Sequence, residues 1–390
     1  MQSFLPLTVF TRWRVRYSAL MKQSTYKLVI LGYVLFPFLG VIAAIVLLWN
    51  RYVFPTDIAL LVVFQCIGAL GITIGYHRML THESFKTSPV LRAFFIICGC
   101  MAVEGAPITW VATHIKHHAF SDDEEDPHSP LKSFWHAHMG WLFSEQSFAD
   151  PKEYAPHLLK DPLLVAIDRV YPLWIALALL IPFLIGGWTG LLWGGFVRIF
   201  CTTHVTWSVN SVCHTFGRRA FDTTDESRNN WIVGLLAFGE GWHNNHHAFP
   251  KNAFHGMWWY QIDVSGLIIR SLEILGLATA VQRVSDEAMD LHRLKFQTVG
   301  DTIASLKQDL SRFIDEGRTE LQEMMLRLPP QRVALARFAY ESTMRQFADM
   351  QLHLAKRRHM KRAAIERRRQ KVAKLIAVAK MQLQMASVGN

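Results

Sequence analysis

The sequence predicts an all-α integral membrane protein, with four membrane helices in two hairpins and a helical C-terminal extension. Three observations carry that expectation. Hydrophobic residues make up 51% of the 390 and charged residues only 18%, below the quarter usual in soluble domains. Long uncharged stretches recur through the first 213 residues. From about Ser285 onward the chain turns polar, with apolar residues at helical spacing.

The first uncharged run, Leu28 to Trp49, is long enough to cross a hydrocarbon core of roughly 30 Å. Pro37 within it is tolerated where neighbouring helices satisfy the freed carbonyl. A short loop, Asn50 to Thr56 with Pro55, leads to a second run from Ile58 to Tyr76. Val90 to Val111 is also apolar, but Glu104, Gly105 and Pro107 interrupt it, and it is expected to dip into the membrane without crossing. Two further spans follow, Leu164 to Ile185, carrying Asp168 and Arg169 near its start, and Trp188 to Cys213. The tight Gly186-Gly187 link makes them a hairpin, which leaves every polar segment on one side.

Net charge is +10. Arg12, Arg14, Arg16, Lys22 and Lys27 precede the first span, whereas the first loop carries only Arg51. The positive-inside rule therefore puts the N-terminus and the polar face in the cytoplasm. The first apolar run is too long for a signal peptide. Residues 1–27 read as a basic arm, 28–284 as the membrane domain with its cap, and 285–390 as a basic helical extension. Within the extension, Ile303, Leu306, Leu310 and Ile314 mark a helical stripe, and Pro329-Pro330 divides two helical arms. The second arm carries Lys356, Arg357, Arg358, Lys361, Arg362, Arg367, Arg368, Arg369, Lys371 and Lys374. Such a segment suits anionic lipid or an acidic protein; nucleic acid is not expected for a membrane protein. The five cysteines form no C-x-x-C pair and read as reduced packing residues.

Histidines carry the functional argument. His77 and His82 form H-x4-H at the end of the second span; His114, His117 and His118 form H-x2-H-H, and His243, His246 and His247 repeat it. On a helix, positions i, i+3 and i+4 share a face, so each triplet is expected to aim at one point. His214 follows Asn210 by one helical turn. A lone histidine near a membrane is more often structural, but three clusters at ligand spacing on one membrane face read as a metal site. Imidazole suits iron, copper, zinc or nickel; so many histidines exceed one tetrahedral ion and imply two metals. Asp126, Glu240 and Asp263 are candidates to accept the second ring N–H of a ligating histidine. His128 reads as part of a turn, and His136, His138, His204 and His255 as structural or supporting.

The segments HRMLTH, HIKHH and HNNHH, with WVATHIKHHAFSDDEEDPHSP, TWSVNSVCHTFG and GEGWHNNHHAFP, resemble the histidine boxes of membrane fatty acid desaturases of the stearoyl-CoA (acyl-CoA Δ9) type, in a bacterial-like form. The resemblance spans about residues 25 to 275. It implies a cytoplasmic helical cap over four membrane helices, holding two iron ions on His77, His82, His114, His117, His118, His214, His243, His246 and His247, with Asn210 acting through a water. It implies a substrate tunnel bent at Trp110, Thr206 and Trp207. Glu104 stands where that family has Gln, and Ile115 where it has Arg. The implied activity is O2-dependent insertion of a cis double bond, at Δ9, into a saturated chain carried as acyl-CoA or in a membrane lipid. Two electrons are expected from a separate ferredoxin, rubredoxin or b-type cytochrome with its reductase. A di-iron hydroxylase of lipids or alkanes and a non-catalytic metal-binding membrane protein are the competing readings.

Overall fold

The structure is a computed structural model; it describes residues 23–49, 52–144, 147–221, 223–328, 330–356 and 362–388. The basic arm's Arg12, Arg14, Arg16 and Lys22, the loop's Asn50 and Arg51, and Pro329, Arg357, Arg358 and Lys361 lie outside the described residues. Two compact units are present: residues to 220 with 227–284, and residues 221–226 with 285–390.

In the first unit, α1 (Gln23–Trp49) passes through Pro37 unbroken. Then α2 (Pro55–Leu70) begins with Pro at its first position, and the Asp57 carboxylate accepts the Phe54 N–H at 2.9 Å. It runs directly into a π-helix, Gly71–Thr81. Next come α3 (Pro89–Met101) and α4 (Pro107–Phe120), each opened by proline. Gly71 is obligatory here: a Cβ on it would lie 2.0 Å from the Gly99 nitrogen of α3, so only glycine lets these backbones meet.

Among the described residues, three helical stretches are long and apolar enough to cross a membrane: Ser24–Leu48, Pro55–Thr81 and Tyr171–Ser211. The expected third span starts later than Leu164. Pro162–Arg169 is a separate helix, α6, that follows the short α5 (Phe134–His138). In its last turn Asp168 accepts the Ile108 N–H of α4 at 3.1 Å, which keeps its charge out of the apolar stretch. The third stretch is α7 (Tyr171–Gly190), a π-turn (Leu191–Val197) and α8 (Arg198–Ser211), and its backbone leaves helical geometry at Gly187, φ 61 and ψ −147. The apolar segment before Glu104 is α3, shorter than a membrane span. Short α9 (Trp231–Leu236) and α10 (His243–Ala248) and longer α11 (Val264–Ile274) complete the unit. A two-stranded antiparallel ribbon, Lys86–Thr87 with Ala278–Thr279, joins the segment after the π-helix to the end of the unit.

The second unit holds α12 (Asp286–Leu326), α13 (Pro330–Lys356) and α14 (Arg362–Val388), each packed on the other two. The extension is therefore three helices, where the sequence suggested two arms. Leu310, Ile314, Phe347, Ile365 and Ile376 from all three meet in one buried core. Three amphipathic stripes can close a core that two straight arms would leave half open. Leu306 is partly buried in it; the Ile303 side chain lies outside the described ones.

Candidate metal centre

The histidines arrive from four segments, and local geometry explains each. His77 and His82 are five apart, a spacing that an α-helix would splay. The π-helix carries them instead: its i→i+5 repeat is seen in the His82 N–H donating to the His77 carbonyl at 3.1 Å. Their rings stand 4.8 Å apart, centroid to centroid. His114, His117 and His118 lie on α4, and His243, His246 and His247 on α10. His214 follows the end of α8.

Neither triplet aims at one point. His77, His82, His114, His118 and His246 form one group, and His117, His214, His243 and His247 a second; within each, ligand atoms lie within 4.8 Å of one another. Each helix thus sends two rings to one group and one to the other, in opposite sense. The reason is angular. Residues i and i+4 differ by about 40° around a helix, while i+3 lies about 60° the other way, so the i+3 ring faces a different neighbour.

Ring nitrogens converge within the groups. His77 Nε2 and His246 Nε2 are 3.1 Å apart, His118 Nε2 lies 3.1 Å from His114 Nε2 and 3.0 Å from His246 Nε2, and His243 Nε2 lies 3.0 Å from His214 Nε2. Donors about 2.1 Å from one metal ion stand about 3 Å from each other when at right angles. Burial and the neighbouring imidazoles hold His82, His114, His118, His243 and His246 well below the usual histidine pKa. Neutral rings with lone pairs aimed inward are what a metal needs, and His82 Nε2 is buried with no hydrogen-bond partner among the described residues. The donor set fits two metal ions bound by nitrogen.

Carboxylates hold the outer ring nitrogens. His77 Nδ1 meets Glu240 Oε2 at 2.6 Å, His117 Nδ1 meets Asp126 Oδ1 at 3.0 Å, and His214 Nδ1 meets Asp122 Oδ2 at 3.0 Å. Such partners fix the tautomer with Nε2 free for the metal. Burial would raise the Glu240 pKa, but His77, His255 and Arg78 around it hold the carboxyl well below the usual range. Asp126 and Glu240 were expected in this role. Asp263 instead pairs with Arg78 at 3.0 Å and accepts the His255 and Gly266 N–H groups. Gly239 permits that packing: at φ +113, a Cβ there would lie 2.1 Å from Asp263 Oδ1. Sequence reasoning missed Asp122; its signal was the acidic run that follows the second box.

The remaining residues find places. Asp126 accepts the His128 N–H at 3.1 Å, as in a turn, yet the imidazole is buried 4.4 Å from the His117 ring, and burial pushes its pKa down to about 3. His136 meets the Pro127 carbonyl, and His138 meets Ser211 and His204. His255 lies 3.3 Å from Glu240. Ile115 packs against the apolar core.

A cavity of about 80 Å³ touches both histidine groups, through His77 and His114 on one side and His243 on the other. All four residues expected of a tunnel line it, Glu104, Trp110, Thr206 and Trp207, as does Asn210. Trp110 stacks on the His114 ring at 5.0 Å and 15°, so the cavity wall and the first histidine group share one packing unit.

Apolar helices of membrane length and two buried polyhistidine groups on an aromatic cavity define a class: membrane-associated proteins built to hold metal beside an apolar substrate. The chain belongs within that class to the fatty acid desaturase family, oxidoreductases that act on acyl chains and are of di-iron type; the family model matches residues 53–263. It is 40% identical over 283 residues to a hex-5-enoyl-[acyl-carrier protein] acetylenase of Moorena producens, covering 67% of this chain and 88% of that one. An sn-1 stearoyl-lipid 9-desaturase of Anabaena variabilis is 45% identical over 57% of this chain and 82% of its own. An acyl-CoA 5-desaturase of Anemone leveillei is 43% identical over 58% and 71%.

Proposed function

We propose that this protein inserts a cis double bond, at Δ9, into a saturated acyl chain carried in a membrane lipid or as acyl-CoA. One observation carries the reading: a single aromatic-walled cavity opens onto both histidine groups. The net reaction takes two hydrogens from adjacent methylenes, O2, two electrons and two protons, and yields an alkene and two waters. Iron bound at the histidines would supply O2 activation, which no side chain can.

The residues divide the work. His77, His82, His114, His118 and His246 would hold one iron and His117, His214, His243 and His247 the other, with Asn210 beside them through a water. Glu240, Asp126 and Asp122 keep the ring protons on Nδ1 and so present Nε2. Trp110, Trp207 and Thr206 wall the chain and exclude water. The stretches before and after Gly187 act as two separate passes, giving four spans with the metal site and both termini in the cytoplasm. The working domain is residues 28–284, preceded by the basic arm 1–27. The exposed Arg367, Arg369, Lys371 and Lys374 of the 285–390 extension suit anionic lipid or an acidic electron donor, a ferredoxin, rubredoxin or b-type cytochrome served by its own reductase.

The test is fatty acid analysis by gas chromatography–mass spectrometry of cells making this chain or its His117→Ala variant. A new monounsaturated acid present only with the intact chain is the expected result, with derivatised fragments locating the bond. Hydroxy acids would move the assignment to a hydroxylase. No new product, with iron and a working electron donor confirmed, would end it.

A further inference from the structure

In the C-terminal unit, α14 buries one face and exposes another of mixed character. Ile365, Val372, Ile376, Ala379 and Leu383 are buried in the core shared with α12 and α13. On the opposite side Arg367, Lys371, Lys374, Val378 and Met381 are exposed and recur at steps of four and three. At about 100° per residue these five fall within an arc of about 80°, so they form one stripe about 21 Å long. Its first half is cationic. Its second half is apolar, with Val378 49% and Met381 50% exposed.

Packing within the unit does not call for this stripe. The side of α14 turned to α12 makes its own contacts: Gly317 leaves no room for a side chain against Ile376, Lys380 pairs with Glu320, and the Arg369 guanidinium stands 5.7 Å from the centre of the Phe313 ring. Charge is also segregated between the two helices. A single acid, Glu366, stands among the arginines and lysines of α14, whereas Asp309, Glu316, Glu320 and Glu323 form an exposed acidic row on α12. The basic stripe lies on the far side of α14 from that row.

We propose that the stripe lays α14 on an anionic bilayer surface, with Arg367, Lys371 and Lys374 at lipid phosphates and Val378 and Met381 at the boundary between headgroups and acyl chains. This narrows the reading of the extension given above to one partner, and it rests on the first unit spanning a membrane. Each Lys or Arg near an anionic leaflet strengthens attachment about fivefold, so the three cations together supply about 100-fold. Cations followed by apolar side chains on one face match the layered chemistry of a membrane interface; a soluble acidic partner would leave Val378 and Met381 without a counterpart. The chain itself joins this unit to the membrane unit at Val284 and Ser285, which keeps lipid at high effective concentration. The acidic row of α12 is repelled by the same leaflet, and that repulsion orients the unit in the same sense as the attraction.

The experiment places a photo-cross-linking p-benzoylphenylalanine at Val378 of the full-length protein and reads its adducts by mass spectrometry. The protein is held in nanodiscs of phosphatidylcholine alone, or of phosphatidylcholine with one part in three of phosphatidylglycerol. Lipid adducts at Val378 are expected to rise at least about tenfold in the anionic discs, and to fall back when Arg367→Gln, Lys371→Gln and Lys374→Gln are combined. The same probe at Glu316, on the acidic row, is expected to give few lipid adducts in either disc. Equal lipid adducts in the two kinds of disc, or at the two positions, would overturn the proposal, and this comparison stands even if the triple variant fails to accumulate. Illumination of membranes from the expressing cells adds a second arm: adducts at Val378 mainly to another protein, or to a second copy of this chain, would also overturn it. Fatty acid analysis of the same cells reports separately on the desaturase reading, whose failure would leave the lipid adducts unchanged.

Discussion

The two units of this chain both close apolar cores, but only the first sets a dense polar cluster beside its own. The C-terminal unit closes an ordinary apolar core, in which Ile314, Leu321, Phe347 and Val372 are fully buried. The first unit buries histidines, Arg78, Asp122, Asp126, Glu240 and Asp263 together. An apolar core stabilises by removing surface from water and tolerates similar residues. A buried polar core costs free energy unless every group is paired, and it remains only where each ring has an assigned direction. The first unit sets a buried polar site beside its apolar core, whereas the second buries mainly apolar side chains.

The largest expected effect breaks the polar core at its centre. His82→Ala and His243→Ala, one from each histidine group, should each lower desaturated product by more than about 100-fold, beyond the 10–100-fold typical of outer partners. Product analysis alongside iron content checks this; full activity from either variant would show that its group holds no working metal.

Removing an outer partner is the next test. Asp122→Asn leaves His214 in place but weakens control of its tautomer, so iron affinity should fall about 10–100-fold, as read by chelator competition on membranes. An unchanged affinity would make the Asp122–His214 contact incidental.

Phe347→Ala opens the other core. It should cost about 3–5 kcal/mol in that unit, seen as faster hydrogen exchange in α12 to α14. The position of the double bond in the product should not move.

The smallest effect is a pH dependence that separates the units. In the iron-free protein His128 titrates at about 3, and His82, His114, His118, His243 and His246 titrate well below normal. Unfolded histidines take protons near pH 6.5. The unfolded state therefore binds more protons between those values, and stability is lost as pH falls from about 6.5 toward 3. Thermal unfolding of the first unit should weaken between pH 7 and 5.5, while hydrogen exchange in α12 to α14, corrected for intrinsic rate, should stay nearly constant.

Much was legible in the sequence because it is written in local patterns. Apolar length marked the Leu28 and Ile58 spans, ligand spacing marked the histidine boxes, and helical periodicity marked Leu310 and Ile314 as core. Less legible were features set by neighbours distant in sequence. The start of the third apolar stretch moved from Leu164 to Tyr171 because Asp168 caps α4, a partner 60 residues away.

By itself, then, the sequence determined the residue types that reach the site and the elements that carry them, since hydropathy and spacing act within a few turns of chain. Only the tertiary structure decided how each H-x2-H-H triplet divides between two groups, that H-x4-H shares a face through a π-helix, and that Asp122 rather than Asp263 supports a ring. Those choices depend on which surface lies opposite each side chain, and helices brought together across many residues supply that surface.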